Sequence, residues 1–145
     1  MKRFRITALV IILMMLVASY FYPDILLLAL IEDPYLPFGN LLAWLAIISF
    51  AILPWLSSDE LRSGRTMYFL VLRFVTFIVS GLAFLWPFVG RYLAGNWHNS
   101  FSSAATGFTG SPEAGFFFWR YTGLIVMLPI LVFVMIWGQY LARKL

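Results

Sequence analysis

The chain has no cysteine and one histidine, and charged residues make up only 11% of its 145 residues. Without cysteine, the chain forms no disulfide, no thiolate metal site and no thiol nucleophile. A single histidine, His98, excludes a bis-histidine haem and a multi-histidine metal site within the chain. Phosphate-binding glycine loops, a Ser-His-Asp order and zinc-ligand spacings are also missing from the sequence. These absences predict a protein that is not an enzyme and has no catalytic residue, cofactor site or metal site of its own.

Hydrophobic residues make up 63% of the chain, compared with roughly 45–50% in a soluble domain. A soluble domain of this size buries only about two-thirds of the surface of its unfolded chain, so much of this apolar surface would remain in water. The composition therefore predicts an all-α, polytopic integral membrane protein, a small bundle of four transmembrane helices in one domain. The net charge of +4 arises mostly at the ends of apolar runs, and we expect no nucleic-acid partner.

Four apolar runs approach or exceed the length needed to cross a bilayer core of about 30 Å. We expect the spans at about residues 6–22, 40–56, 67–89 and 116–142. The first run also resembles a signal peptide, but the region around Ala18 is a poor cleavage site and favours a span. Residues 24–33 are too short to span, so they either extend the first helix beyond a kink at Pro23 or lie in the membrane interface.

Two serines mark predicted helix starts. Ser58 precedes two acidic residues, and Ser111 precedes Pro112 and a glutamate. A serine cap, a proline in the first turn and nearby carboxylates are typical of a helix N-terminus. A helix from Pro112 to Ala142 would be about 46 Å long, so we expect its first two turns to lie outside the hydrocarbon core.

The distribution of basic residues predicts the orientation. Seven of the ten Lys and Arg residues precede the first run, lie between the second and third runs, or follow the fourth. Arg91 and Arg120 lie on the other side, and Arg73 lies within the third run. By the positive-inside rule, we expect both termini and the loop 57–66 to be cytoplasmic. We expect the membrane to be a cell inner (plasma) membrane. The external segments are then residues 23–39 and 90–115.

Arg73 is the one charged residue within the third predicted span. Such a charge is a candidate functional group by default, because it is costly to place in lipid. Arg73 lies only seven residues after Thr66, however, and its side chain can reach the inner headgroups. We expect Arg73 to anchor the third helix at the interface or to donate a structural hydrogen bond; the alternatives are a buried pair and a partner contact.

The fourth run begins with four consecutive aromatic residues followed by a basic residue: Phe116, Phe117, Phe118, Trp119 and Arg120. Neighbours on a helix are about 100° apart, so these rings cannot all face the chain's own bundle. Some must meet lipid headgroups or another protein. Either an aromatic belt or a docking patch accounts for them, and we predict docking.

Three classes of function fit this sequence. The first is a non-enzymatic accessory or structural subunit of a larger inner-membrane complex, with other integral membrane proteins and lipids as partners. The second is a membrane immunity or binding protein that acts at the outer face. The third is a small oligomeric transporter or lipid-handling protein. We favour the first, because a transporter needs polar groups within its spans and these spans carry few.

Overall fold

The computed structural model describes residues 2–32, 35–97 and 108–143, so His98 lies outside the described residues. Within these ranges the chain is mostly helical, and four helices are long and apolar enough to cross a membrane, as predicted. These helices are α1 (Lys2–Phe21), α3 (Phe38–Ser57), α5 (Met67–Ala94) and α6 (Pro112–Ala142). Between them lie the short helices α2 (Pro23–Leu26) and α4 (Asp59–Ser63) and the strands β1 (Ala29–Ile31) and β2 (Leu36–Pro37).

The segment after α1 does not continue that helix. Tyr22 leaves the helical conformation, with φ −138° and ψ 54°, and Pro23 occupies the first turn of α2. Proline has no N–H for a continuing helix but has a suitable φ for starting one. Strand β1 then pairs antiparallel with β2, and Ala29 lies opposite Pro37. This small hairpin departs from the all-α expectation. It could not be predicted because residues 25–31 are uniformly apolar and lack the alternating pattern typical of a half-buried strand.

Both predicted serine caps are confirmed. The Ser58 hydroxyl accepts a hydrogen bond from the Leu61 N–H (3.0 Å), and the Ser111 hydroxyl accepts one from the Ala114 N–H (3.2 Å). Helix α5, in contrast, runs past the predicted end at residue 89 and reaches Ala94. It stops at Gly95, which has a φ of 77° and whose N–H donates to the Arg91 carbonyl. A glycine in this left-handed conformation is a common helix terminator, and it places the end of α5 five residues beyond the predicted one.

The core lies where α3, α5 and α6 meet. Its central cluster combines small residues with large rings: Ala43, Ala51, Val79, Ala83, Trp86, Phe118 and Ile125. The alanines of α3 and α5 let the helix backbones approach closely, and the rings of Trp86 and Phe118 pack at a centroid distance of 5.6 Å. Helix α1 packs against α3 and lies at the edge of this three-helix core.

Candidate functional site

One end of the bundle is closed by α4, which packs beneath α3, α5 and α6. Leu61 of α4 and Phe69 of α5 are buried against Val132 and Ile136 of α6. At the surface of this α4 end, the Arg143 guanidinium donates to the Glu60 carboxylate across 2.6 Å. These contacts bring the loop 57–66 and the C-terminal end of α6 together at the same end of the molecule.

Arg73 turns back toward the start of its own helix. Its Nε donates to the Leu61 carbonyl (3.1 Å), and its Nη2 donates to the Gly64 carbonyl (3.0 Å). Both carbonyls belong to residues that precede α5, so the guanidinium lies at the α4 end and not at the depth of its Cα. The Trp55 ring lies beside it, with its centroid 6.0 Å from Cζ. The structural hydrogen bond that the sequence analysis expected of Arg73 is therefore present, with backbone carbonyls as its acceptors. The anchoring of α5 by Arg73 at a membrane interface stays a prediction.

A groove runs along the junction of α3 and α5 from the α4 end. It has a volume of about 550 Å³, and we call it the α3–α5 groove. It is lined by Ile52, Trp55, Leu70, Arg73, Phe74, Thr76, Phe77 and Ser80. The hydroxyls of Thr76 and Ser80 donate to carbonyls one turn earlier in α5, each at 2.8 Å. With these donors occupied, Arg73 is the charged group of an otherwise apolar groove.

The opposite end of the bundle is built from aromatic residues. Trp86 Nε1 donates to the Thr122 hydroxyl (2.9 Å), which in turn donates to the Phe118 carbonyl (2.9 Å). Phe118 is fully buried, and its ring packs between those of Trp86 and Phe108, at centroid distances of 5.6 and 6.0 Å. Trp44 Nε1 of α3 donates to the Phe84 carbonyl of α5 (3.1 Å). The polar atoms of these rings therefore tie the three core helices together.

The predicted patch at the start of α6 divides into two parts. Phe116, Phe117 and Trp119 are 54%, 63% and 60% exposed, whereas Phe118 is 0% exposed. The Arg120 guanidinium lies over the Phe116 ring, with Cζ 3.9 Å from its centroid. Phe118 therefore belongs to the core, and the surface patch consists of Phe116, Phe117, Trp119 and Arg120. We call these four residues the aromatic patch.

A signal in the sequence could have separated Phe118 from its neighbours. Phe118, Ile125 and Val132 are each seven residues apart, and all three are buried in α6. A seven-residue repeat of large apolar residues is typical of one helix face in contact with a neighbouring helix. The uniform hydrophobicity of the run obscured this repeat.

Asn40 is a buried polar residue that no motif in the sequence singles out. It lies in the first turn of α3, is 7% exposed, and its Nδ2 donates to the Trp97 carbonyl. Its Oδ1 has no hydrogen-bond partner within the described ranges. Asn40 lines a cavity of about 150 Å³ together with Trp44, Trp86 and Trp97.

Among residues 2–32, 35–97 and 108–143, no three His, Asp or Glu side chains come close enough to hold a metal ion. No protein-family model, curated protein sequence or solved structure matches the chain. The features of the described residues that could carry a function are the α4 end, the α3–α5 groove and the aromatic patch.

Proposed function

We propose that the chain is a four-span protein of a cell inner (plasma) membrane and acts as a non-enzymatic accessory or structural subunit of a larger complex. The observation that carries this proposal is the filled interior of the bundle. The central cluster is made of apolar side chains, and Ala83, Phe118 and Ile125 in it are 0% exposed. A substrate path through a single copy of the chain would need polar groups and space at this position. A role that uses the outer faces fits this arrangement better.

The proposed orientation has both termini and the loop 57–66 in the cytoplasm. It rests on the seven-to-two excess of basic residues at one side. The Glu60–Arg143 pair agrees with it, because it joins the loop 57–66 to the C-terminal end of α6. The test is a set of reporter fusions. A cytoplasmic reporter fused after Leu145 should be active, and a periplasmic reporter should be active after Gly110. The opposite activities would overturn the orientation.

We assign the docking contact to the aromatic patch. Three of its residues are large rings that do not contribute to the buried core, and they lie in the first turns of a 31-residue helix that is longer than a bilayer core of about 30 Å. Interfaces between proteins are enriched in aromatic residues and arginine, both of which are present here. Headgroup anchoring needs one or two rings, so three rings and a stacked guanidinium favour a protein contact.

The experiment is isolation of the tagged full-length chain from its native membrane at native expression level in a mild detergent. An accessory subunit should co-purify with larger membrane proteins at fixed stoichiometry. Phe117→Ala or Trp119→Ala should lower partner recovery about tenfold or more, as expected for a residue worth about 1.4 kcal/mol or more at an interface. Leu124→Ala is the matched control, because Leu124 is also exposed on α6 but lies outside the aromatic patch.

The same experiment separates the rival functions. A chain that elutes alone as a monomer, or that shows equal small effects for all three variants, contradicts the docking proposal. Recovery of a defined homo-oligomer without a larger protein would favour the small oligomeric transporter or lipid-handling protein. Capture of an external ligand by the outer segments would favour the immunity or binding protein.

A further inference from the structure

The α3–α5 groove is charged at one end and apolar along the remainder. Its charged residue, Arg73, holds its guanidinium at the α4 end, and apolar side chains line the remainder. Its volume of about 550 Å³ falls within the roughly 300–1,000 Å³ of typical ligand pockets. A ligand that fits this groove has an anionic group at one end and an apolar tail.

The length of the groove matches one leaflet of a bilayer. On α5 its lining runs from Leu70 to Ser80, and the ten steps between these residues rise about 15 Å at about 1.5 Å per residue. Half of a hydrocarbon core of about 30 Å is also about 15 Å. The groove therefore has the depth that one acyl chain occupies between the headgroup level and the midplane.

The cation at the entrance has donors available for an anion. A guanidinium carries five N–H donors, and those on Nε and Nη2 serve the two carbonyl bonds of Arg73. None of the residues that line the groove is acidic. Guanidinium groups bind phosphate in a bidentate geometry, and tryptophan is favoured at the headgroup level, where Trp55 would lie. Charge complementarity thus favours an anion at the Arg73 end of the groove, and a phosphate fits both the bidentate geometry and the headgroup level.

We propose that the α3–α5 groove binds one anionic diacyl phospholipid, with its phosphate on Arg73 and one acyl chain against Ile52, Phe74 and Phe77. The proposal rests on the membrane placement proposed above, but it does not require a protein partner. The bound lipid would add to the contact between α3 and α5 along the groove.

The test uses the purified full-length chain in a mild detergent, titrated with phosphatidylglycerol and followed by native mass spectrometry. We expect one lipid per chain and weaker binding of phosphatidylcholine, whose headgroup carries no net charge. Ser80→Leu fills the groove without touching Arg73 and should weaken phosphatidylglycerol binding about tenfold. Each displaced methylene group of the acyl chain accounts for about a fourfold loss. Gly81→Leu is the control, because a Cβ at Gly81 meets nothing within 4 Å.

A second variant tests the Arg73 end of the groove, and it keeps the proposal testable if Ser80→Leu does not fold. Arg73→Gln keeps an amide donor for the carbonyls but removes the charge, so it should abolish the preference for phosphatidylglycerol over phosphatidylcholine. Inorganic phosphate at the same concentration should not displace the lipid, because it gains nothing from the apolar groove. Helical circular dichroism and elution volume would establish that both variants are folded.

Equal phosphatidylglycerol affinity in the unaltered chain, Ser80→Leu and Gly81→Leu would overturn the proposal. So would equal affinity of the unaltered chain for the two lipids, or displacement by free phosphate. A partner protein that is lost with Ser80→Leu while lipid binding is unchanged would assign the groove to a partner helix instead. The accessory-subunit proposal fails separately, through the absence of any co-purifying protein, and the lipid titration on the isolated chain is unaffected by that result.

Discussion

Helices α1 and α3 are both 20 residues long and apolar, yet they differ sharply in packing. Ala8 is the one buried residue of α1, all of which the structure describes, whereas nine residues of α3 are buried. The buried set of α3 is rich in small side chains, among them Gly39, Ala43 and Ala51. Helix α1 instead presents bulky residues such as Leu13 and Leu16 on its exposed surface.

The proposed placement in a membrane accounts for this difference. In lipid there is no hydrophobic force between apolar helices, since acyl chains are as apolar as leucine. Helices then associate through close packing, which small residues permit and bulky residues prevent. Hydropathy therefore decides whether a helix can enter the membrane, and the distribution of small residues decides whether it joins the core. Predictions that alter one class of position and leave the other unchanged test this view.

The largest expected effect is at Phe118, the fully buried ring of the three-helix core. Phe118→Ala should lower the free energy of unfolding by about 3 kcal/mol. This is the low end of the range for soluble cores, because an unfolded span stays in lipid and the loss is mainly that of packing around the cavity. Titration with a denaturing detergent in mixed micelles would measure it. Phe117→Ala, at an exposed ring one residue away, is the control and should change stability by about 0.5 kcal/mol or less.

An intermediate effect is expected where α5 enters the core. Ala83 is 0% exposed and belongs to the central cluster, so Ala83→Leu must push α5 away from the helices packed against it. Overpacking of this kind costs about 1–3 kcal/mol, and we expect about 2 kcal/mol in the same denaturation assay. Gly81→Leu, two residues earlier, should be neutral or stabilising, because its Cβ is unobstructed and leucine favours a helix over glycine. A similar loss at both positions would mean that helix approach does not limit stability.

The sequence predicted the parts of this fold that depend on local chemistry. Hydropathy located the four long helices, and the caps at Ser58 and Ser111 follow from hydrogen bonds within one turn. The terminator at Gly95 was missed because Pro87 and the polar residues beyond it suggested an earlier end. The hairpin of β1 and β2 was missed because strand pairing depends on partners and not on the apolar composition of either segment.

The candidate site was predictable only in part, because it depends on contacts between elements. Arg73 could be singled out as an intramembrane charge, but its carbonyl partners in Leu61 and Gly64 depend on how α4 folds under the bundle. The aromatic segment could be recognised, but the separation of Phe118 from its neighbours depends on the direction in which α6 faces α5. Which side of a helix is buried depends on the neighbouring helix against which it packs.

The smallest expected effect is on α1, and it tests the comparison most directly. Leu13 and Leu16 are 59% and 62% exposed, so truncating either one to alanine removes contacts with lipid and few contacts with protein. Each variant should change the free energy of unfolding of the purified chain by about 0.5 kcal/mol or less, as at other exposed sites. Ala8→Leu is the matched change on the same helix. Because Ala8 is 3% exposed and α1 packs mainly against α3, leucine there should push α1 away from the bundle and cost about 1–3 kcal/mol. A large loss of stability at Leu13 or Leu16 in the isolated chain would mean that α1 packs against a second copy of the chain. A loss of partner recovery with unchanged stability would mean that α1 is a second docking surface, in addition to the aromatic patch.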